Sequence, residues 1–184
     1  MILPIYGYGQ PVLKKKASFI DEDYEGLQEL IENMYETMYN ASGVGLAAPQ
    51  IGRSIRLFIV DTLQVKEEGE EGGIKQAFLN ATILDESGEE WAYEEGCLSI
   101  PNVRGDVDRK PKITIRYQDE SFEWHEEVFE GVEARVIQHE YDHIEGILFT
   151  ELLKPIRKRR VRRKLDHIRK GKIQLDYPMR LAGK

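Results

Sequence analysis

One cysteine in 184 residues excludes an intramolecular disulfide, so the thiol of Cys97 is free for metal binding or nucleophilic chemistry. Long apolar runs are also missing. No stretch approaches the roughly 20 apolar residues that a membrane-spanning helix requires. Met1 to Lys16 is broken by Pro4, Gly7, Gly9 and Pro11 and ends in three lysines, so it has no signal-peptide apolar segment. A cytoplasmic, unexported chain is expected, with neither a membrane nor DNA as partner. Histidine is scarce too, with four in all, which makes the spacing of any two informative.

What is present fills one core. With 41% hydrophobic and 32% charged residues, the chain suits a single domain over residues 1–184. The net charge of −7 hides an uneven distribution: residues 154–172 hold 11 Lys and Arg against the single Asp166, a net of +10, so the rest carries −17. An acidic body bears a basic C-terminal segment, and long-range attraction to a polyanion acts through it.

From about Tyr24 to Tyr39, Leu27, Leu30, Ile31, Met34 and Met38 recur at helical spacing after the acidic start Asp21-Glu22-Asp23. Residues 42–52 resist regular structure, and Ile55 to Val60 reads as a buried strand. Val65 to Gly73 is an acidic, glycine-rich exposed loop. Strands are expected at Phe78 to Leu84, Ile113 to Tyr117 and Phe122 to Val128, a helix from Gly131 to Glu145, and a basic helix near Ile156 to Ile168. In that basic helix Val161, Leu165 and Ile168 form one apolar stripe. Ile173, Leu175 and Tyr177 alternate as in a strand over Lys172 to Met179. The pattern is α+β with mainly antiparallel strands.

Inside the helix expected from Gly131 lies His139-Glu140-Tyr141-Asp142-His143. At helical spacing the two histidines stand about 40° apart on one face, one turn from each other, and can reach one metal ion, with Glu140 beside them near a water. Val132 and Val136 share that face, so the imidazoles are expected to point inward. The third ligand decides the class. Gly146 matches the metzincin continuation, but Phe149 stands where its third histidine belongs, which disfavours that family. Asp166 and His167 sit among cations that oppose metal binding. Cys97 remains, in Glu94-Glu95-Gly96-Cys97-Leu98-Ser99, preceded by a glycine that permits close approach. A Cys-His-His set leaves a fourth position open, as catalytic sites require, and its thiolate suits Fe(II), Zn(II), Co(II) or Ni(II) better than Mg(II). A third segment, Gly43-Val44-Gly45-Leu46-Ala47-Ala48-Pro49-Gln50, lets a backbone edge approach another chain and offers the Gln50 amide; read alone it is equally a tight turn.

GVGLAAPQ, EGCLS and HEYDH, in this order and at these separations, resemble the three signature motifs of the peptide deformylase family. The resemblance spans about Gly43 to Phe149. It implies an α+β fold whose strands surround a central metal-bearing helix, and an enzyme that removes the formyl group from the N-terminal methionine of nascent proteins. It also implies Cys97, His139 and His143 as ligands of one divalent ion, Fe(II) natively, with Glu140 as acid and base. Gln50 and the Leu98 N–H would hold the formyl oxygen. Val44, Gly45 and Gly96 would meet the peptide, Val44, Val132 and Val136 the methionine side chain, and Tyr93, Glu95 and Arg104 the pocket mouth. The N-formyl-methionyl peptide is the expected substrate, and ribosomal RNA the expected partner of the basic segment. The acidic 65–73 loop and the strand-like C-terminal end depart from the commonest bacterial pattern of the family without touching the motifs.

Three readings lie outside the family. A metallo-endopeptidase would cleave internally, a non-enzymatic RNA-binding protein would need no metal, and a Cys97 nucleophile would survive chelation but not thiol alkylation.

Overall fold

The computed structural model describes all 184 residues. Chain order begins with β1 (Ile5–Tyr6), α1 (Leu27–Asn40), β2 (Gly45–Ala47), β3 (Leu57–Asp61), β4 (Lys75–Ser87), β5 (Trp91–Cys97) and β6 (Ile100–Arg109). It continues with β7 (Lys112–Gln118), β8 (Trp124–Glu130), α2 (Gly131–Ile144), α3 (Pro155–Arg169) and β9 (Met179–Arg180). A five-stranded sheet runs in the order β2-β3-β4-β7-β8 with every pair antiparallel. β5 and β6 form a separate antiparallel hairpin, and β1 pairs with β9 in parallel. The class is α+β, as the sequence pattern indicates. No helix is long and apolar enough to cross a membrane.

Strand period places the core. All five residues of β3 are buried, because both of its faces are covered. Phe58 and Val60 face Phe78, Ala134, Ile137 and Ile144, so α2 packs on one face of the sheet. Leu57 and Ile59 face Ile31, Met34 and Met38 of α1 on the other. Phe58 and Phe78 stack at 4.8 Å between centroids, and each fully buried phenylalanine contributes roughly 1.5–3 kcal/mol. α2 is therefore held between the sheet and the β5–β6 hairpin, to which Arg135 donates at Val107 O (2.8 Å) and Trp91 O (2.7 Å). On the hairpin's other flank, Val103 and Val107 join Leu148, Phe149, Val161 and Ile168 in a third cluster that seats α3. The stripe expected on the basic helix is the one it buries: Val161 and Ile168 are buried and Leu165 is half-buried.

Several boundaries differ from the sequence reading. α1 begins at Leu27, because Gly26 is left-handed (φ 73°) and the acidic residues before it lie outside the helix. The segment read as irregular from Ser42 contains β2 at Gly45–Ala47 and a 3₁₀ turn at Ala48–Ile51. The hairpin of β5 and β6 is absent from the expected strands, although Val103, Gly105 and Val107 alternate with Arg104, Asp106 and Asp108 in buried-exposed order. The strand expected over Lys172 to Met179 is corrected to Met179–Arg180 alone. β1 offers only Ile5 and Tyr6 as pairing partners, and the residues before Met179 are held by side-chain packing of Ile173 and Tyr177 instead.

Candidate active site

Cys97 closes β5, while His139 and His143 stand one turn apart on α2. Packing of α2 against the hairpin brings their ligating atoms within 4.8 Å of one another, with Cys97 Sγ 3.3 Å from His143 Nε2. Glu95 lies two residues before Cys97 and faces the same side of the strand, whereas its neighbour Glu94 points to solvent and pairs with Arg104. The buried Glu95 accepts from Nδ1 of His139 at 2.9 Å, which leaves Nε2 of that ring for the trio. Arg109 and Arg135 hold the same carboxylate from behind, at 2.8 and 2.9 Å, and Arg109 also reaches Asp142 at 2.8 Å. Glu95 thus lines the same cavity as Tyr93 and Arg104, as expected, but from a buried position behind His139 rather than at the mouth.

The charges follow from these contacts. Burial alone would raise the Glu95 carboxyl, but hydrogen bonds from His139 and Arg109 bring it down to about 2. Burial also opposes charge on both imidazoles. At His139 the contacts with Cys97 and Glu95 overcome it and hold the ring well above the ordinary histidine value. His143, with His139 and Arg109 nearby, is held well below. Glu140 is pushed up to about 7 by burial, with His139 opposing and Glu95 and Asp142 adding.

These residues suit a metal ion. One cysteine sulfur and two imidazoles converge, and three protein ligands leave room for a fourth. Two buried polar atoms beside the trio, Oε2 of Glu140 and Nδ1 of His143, have no hydrogen-bonding partner.

A cavity of about 540 Å³ opens on the trio. Val44, Gly45, Gln50, Gly96, Cys97, Leu98, Val136, His139 and Glu140 line it, together with Tyr93 and Arg104. Val132 does not line it, and His143 is buried behind it. Gln50 is 1% exposed and is fixed at both ends of its amide: Oε1 accepts from Ala47 N (3.0 Å), while Nε2 approaches Cys97 Sγ (3.5 Å) and Ser99 Oγ (3.2 Å). Gly45 passes so close to Glu140 that an added Cβ would lie 2.6 Å from Oε1. The sequence reading did not find Asp176 and Tyr177, which the C-terminal segment brings to the rim. Nor did it find Arg109 or Arg135 as supports of Glu95. Only the strand alternation that sends Glu95 inward could have pointed to their need. A second hollow, of about 620 Å³, lies along α3 between Tyr8 and the arginines 159, 162, 163 and 169 and shares no lining residue with the cavity at the trio.

An antiparallel α+β frame that sets a Cys-His-His cluster and a buried glutamate at the base of one cleft defines a hydrolase of the metal-dependent kind. The sequence profile of the polypeptide deformylase family matches residues 2–159. Peptide deformylase of Christiangramia forsetii is 55% identical over 98% of this chain and 96% of its own. That of Flavobacterium johnsoniae is 54% identical over 99% and 97%. The crystal structure of a peptide deformylase from Legionella pneumophila superposes with a TM-score of 0.80 at 39% identity, covering 90% of this chain and 94% of that one. The chain belongs to the polypeptide deformylase family, metal-dependent hydrolases that remove the N-formyl group from nascent peptides.

Proposed function

We propose that the chain hydrolyses the formyl amide of N-formyl-methionyl peptides in the cytoplasm, with Cys97, His139 and His143 holding one divalent ion. That ion is Fe(II) in the native protein, and Zn(II), Ni(II) and Co(II) are accepted substitutes. When bound, it supplies Lewis acidity that acidifies water and polarises a carbonyl. Glu140 is the proton carrier: its unpartnered Oε2 takes a proton from the attacking water and returns it to the leaving amine, so that formate and a free N-terminus result. Gln50 and the Leu98 N–H donate to the formyl oxygen as it gains negative charge, an effect worth about 3–4 kcal/mol per donor in a dry site. The peptide backbone runs along Val44 and Gly45 past Gly96, and the methionine side chain lies against Val44 and Val136.

The observation that carries this reading is that Cys97, His139 and the buried Glu140 line one cavity with a neutral, immobilised Gln50, while His143 completes the trio from behind. It is tested by anaerobic purification, metal analysis and formate release from formyl-Met-Ala. One metal per chain and one formate per free Met-Ala are expected, and activity that survives chelation overturns the proposal. Protein loaded with iron is expected to lose activity in air faster than protein loaded with nickel, since Fe(II) beside a thiolate is oxidisable; equal half-lives argue against iron.

The basic α3 extends the proposal to a partner. Arg159, Arg160, Arg162 and Arg163 are exposed and form no ion pair, which fits docking on ribosomal RNA, where formylated chains emerge.

A further inference from the structure

β5 ends at Cys97 and β6 begins at Ile100, so only Leu98 and Ser99 make the turn, and the hairpin register shifts between Gly96 and Cys97. Groups from outside the hairpin hold this turn. Gln50 Nε2 donates to Ser99 Oγ at 3.2 Å, the backbone N–H of Tyr8 donates to Ser99 O at 2.9 Å, and the Tyr177 hydroxyl donates to Leu98 O at 2.7 Å. Tyr177 is brought there by the last residues of the chain. Two residues further on, Met179 pairs with Ile5, and Tyr177 packs with Met179 and Leu98 against the cluster that contains α1.

We infer that Tyr177 is a positioning residue for the turn after Cys97, and that the C-terminal segment reaches back to the cleft to supply it. The inference rests on the reading of the Leu98 N–H as a donor to the formyl oxygen. Such a donor works by being aimed before charge develops, and its aim is set by the peptide planes around it. The Leu98 carbonyl belongs to the next peptide plane, so a hydrogen bond to it restrains rotation about Leu98 and with it the direction of the N–H. Burial, followed by the charges of Cys97 and Asp176, raises the phenol above its ordinary value, so it remains a donor throughout the neutral range. The half-buried ring packs with Met179 and Leu98, a contact phenylalanine would keep; only the hydroxyl bonds the Leu98 carbonyl.

The test uses the metal-loaded full chain and Tyr177→Phe, which keeps the ring. The expected result is a fall in kcat on formyl-Met-Ala on the order of tenfold, with KM within about twofold. Metal content and melting temperature should match the parent, and amide hydrogen exchange should quicken at Leu98 and Ser99. Tyr177→Ala, which also removes the ring, should in addition lower the melting temperature and raise KM. Unchanged exchange at Leu98 and Ser99 in Tyr177→Phe overturns the positioning role. Faster exchange with parental kcat overturns the catalytic consequence, and with it the reading of the Leu98 N–H rather than the hydrogen bond. A loss of kcat matched by lower melting temperature and higher KM in Tyr177→Phe marks a merely structural contact and also overturns the inference.

Discussion

Oε1 of Glu95 stands 2.9 Å from Nδ1 of His139, and the same carboxylate receives Arg109 and Arg135, so one buried anion orients an imidazole and pairs with two guanidinium groups, of which Arg109 also pairs with Asp142. Glu95→Gln removes that anion, leaving Arg135 buried without a counter-charge and Arg109 with Asp142 alone. Breaking one side of such a network costs on the order of 3 kcal/mol, although the amide oxygen still accepts one bond. The His139 ring also loses its strongest acceptor, which lowers metal affinity by about 10- to 100-fold. Thermal unfolding and chelator competition on the purified variant check both. Parental metal affinity in Glu95→Gln would assign the carboxylate to fold stability alone.

Oε2 of Glu140 is buried without a hydrogen-bonding partner, and the residue lines the cavity at the trio. Glu140→Gln keeps the shape and removes the proton acceptor. Turnover is expected to fall by about 10²- to 10⁴-fold while metal stoichiometry stays at the parental value. A variant that retains substantial turnover with one metal bound sinks the assignment.

Gly43 and Gly45 have different neighbours although both belong to the GVGLAAPQ segment. A Cβ on Gly45 would meet Oε1, Cγ and Cδ of Glu140 at 2.6, 2.8 and 2.9 Å, whereas one on Gly43 would meet chiefly the Leu98 side chain at 2.7 Å. Glu140 is enclosed and cannot retreat, while Leu98 is half-buried and has rotamers to use. Gly45→Ala is therefore expected to cost about 1–3 kcal/mol by overpacking and to displace the proton carrier, with at least tenfold lower kcat. Gly43→Ala should be milder on both counts. Equal effects of the two substitutions, in melting temperature and in formate release, would refute this account of Gly45.

The parts of the site that repeat at a fixed spacing were legible in the sequence. His139 and His143 fall at a helical interval, and the helix expected from Gly131 is the one observed, Gly131–Ile144. Cys97 was reached by elimination among the other possible ligands, and the packing of α2 on the hairpin brings it to the histidines. Glu95 was expected at the pocket mouth from its place beside the cysteine motif, which does not say which of Glu94 and Glu95 turns inward. In a strand, adjacent residues point oppositely, so one of the two is solvated and the other is buried under Arg109 and Arg135. Tyr177 lies 79 residues from the carbonyl it contacts, and no local pattern encodes a pairing made through β1 and β9.

On α3, Val161 and Ile168 are buried in the third cluster while Arg159, Arg160, Arg162 and Arg163 project from it. Arg157 is different: it donates to Arg104 O and belongs to the packing. Arg169 lies over the Tyr8 ring at 5.3 Å and lines the hollow of about 620 Å³ together with Arg159, Arg162 and Arg163. Phosphate contacts by these groups release counterions, so affinity for ribosomes should fall steeply with salt, with a slope of about −0.7 to −0.9 per contact. Deleting the helix would expose Leu148, Phe149 and Leu153, so charge reversal is the cleaner change. A variant with glutamate at 159, 160, 162 and 163 is expected to keep its melting temperature within a few degrees and its activity on formyl-Met-Ala, because none of these side chains lines the catalytic cavity. It should lose co-sedimentation with ribosomes at low salt. Parental sedimentation of this variant would remove α3 from the docking surface and leave its charge as a solvated helix face.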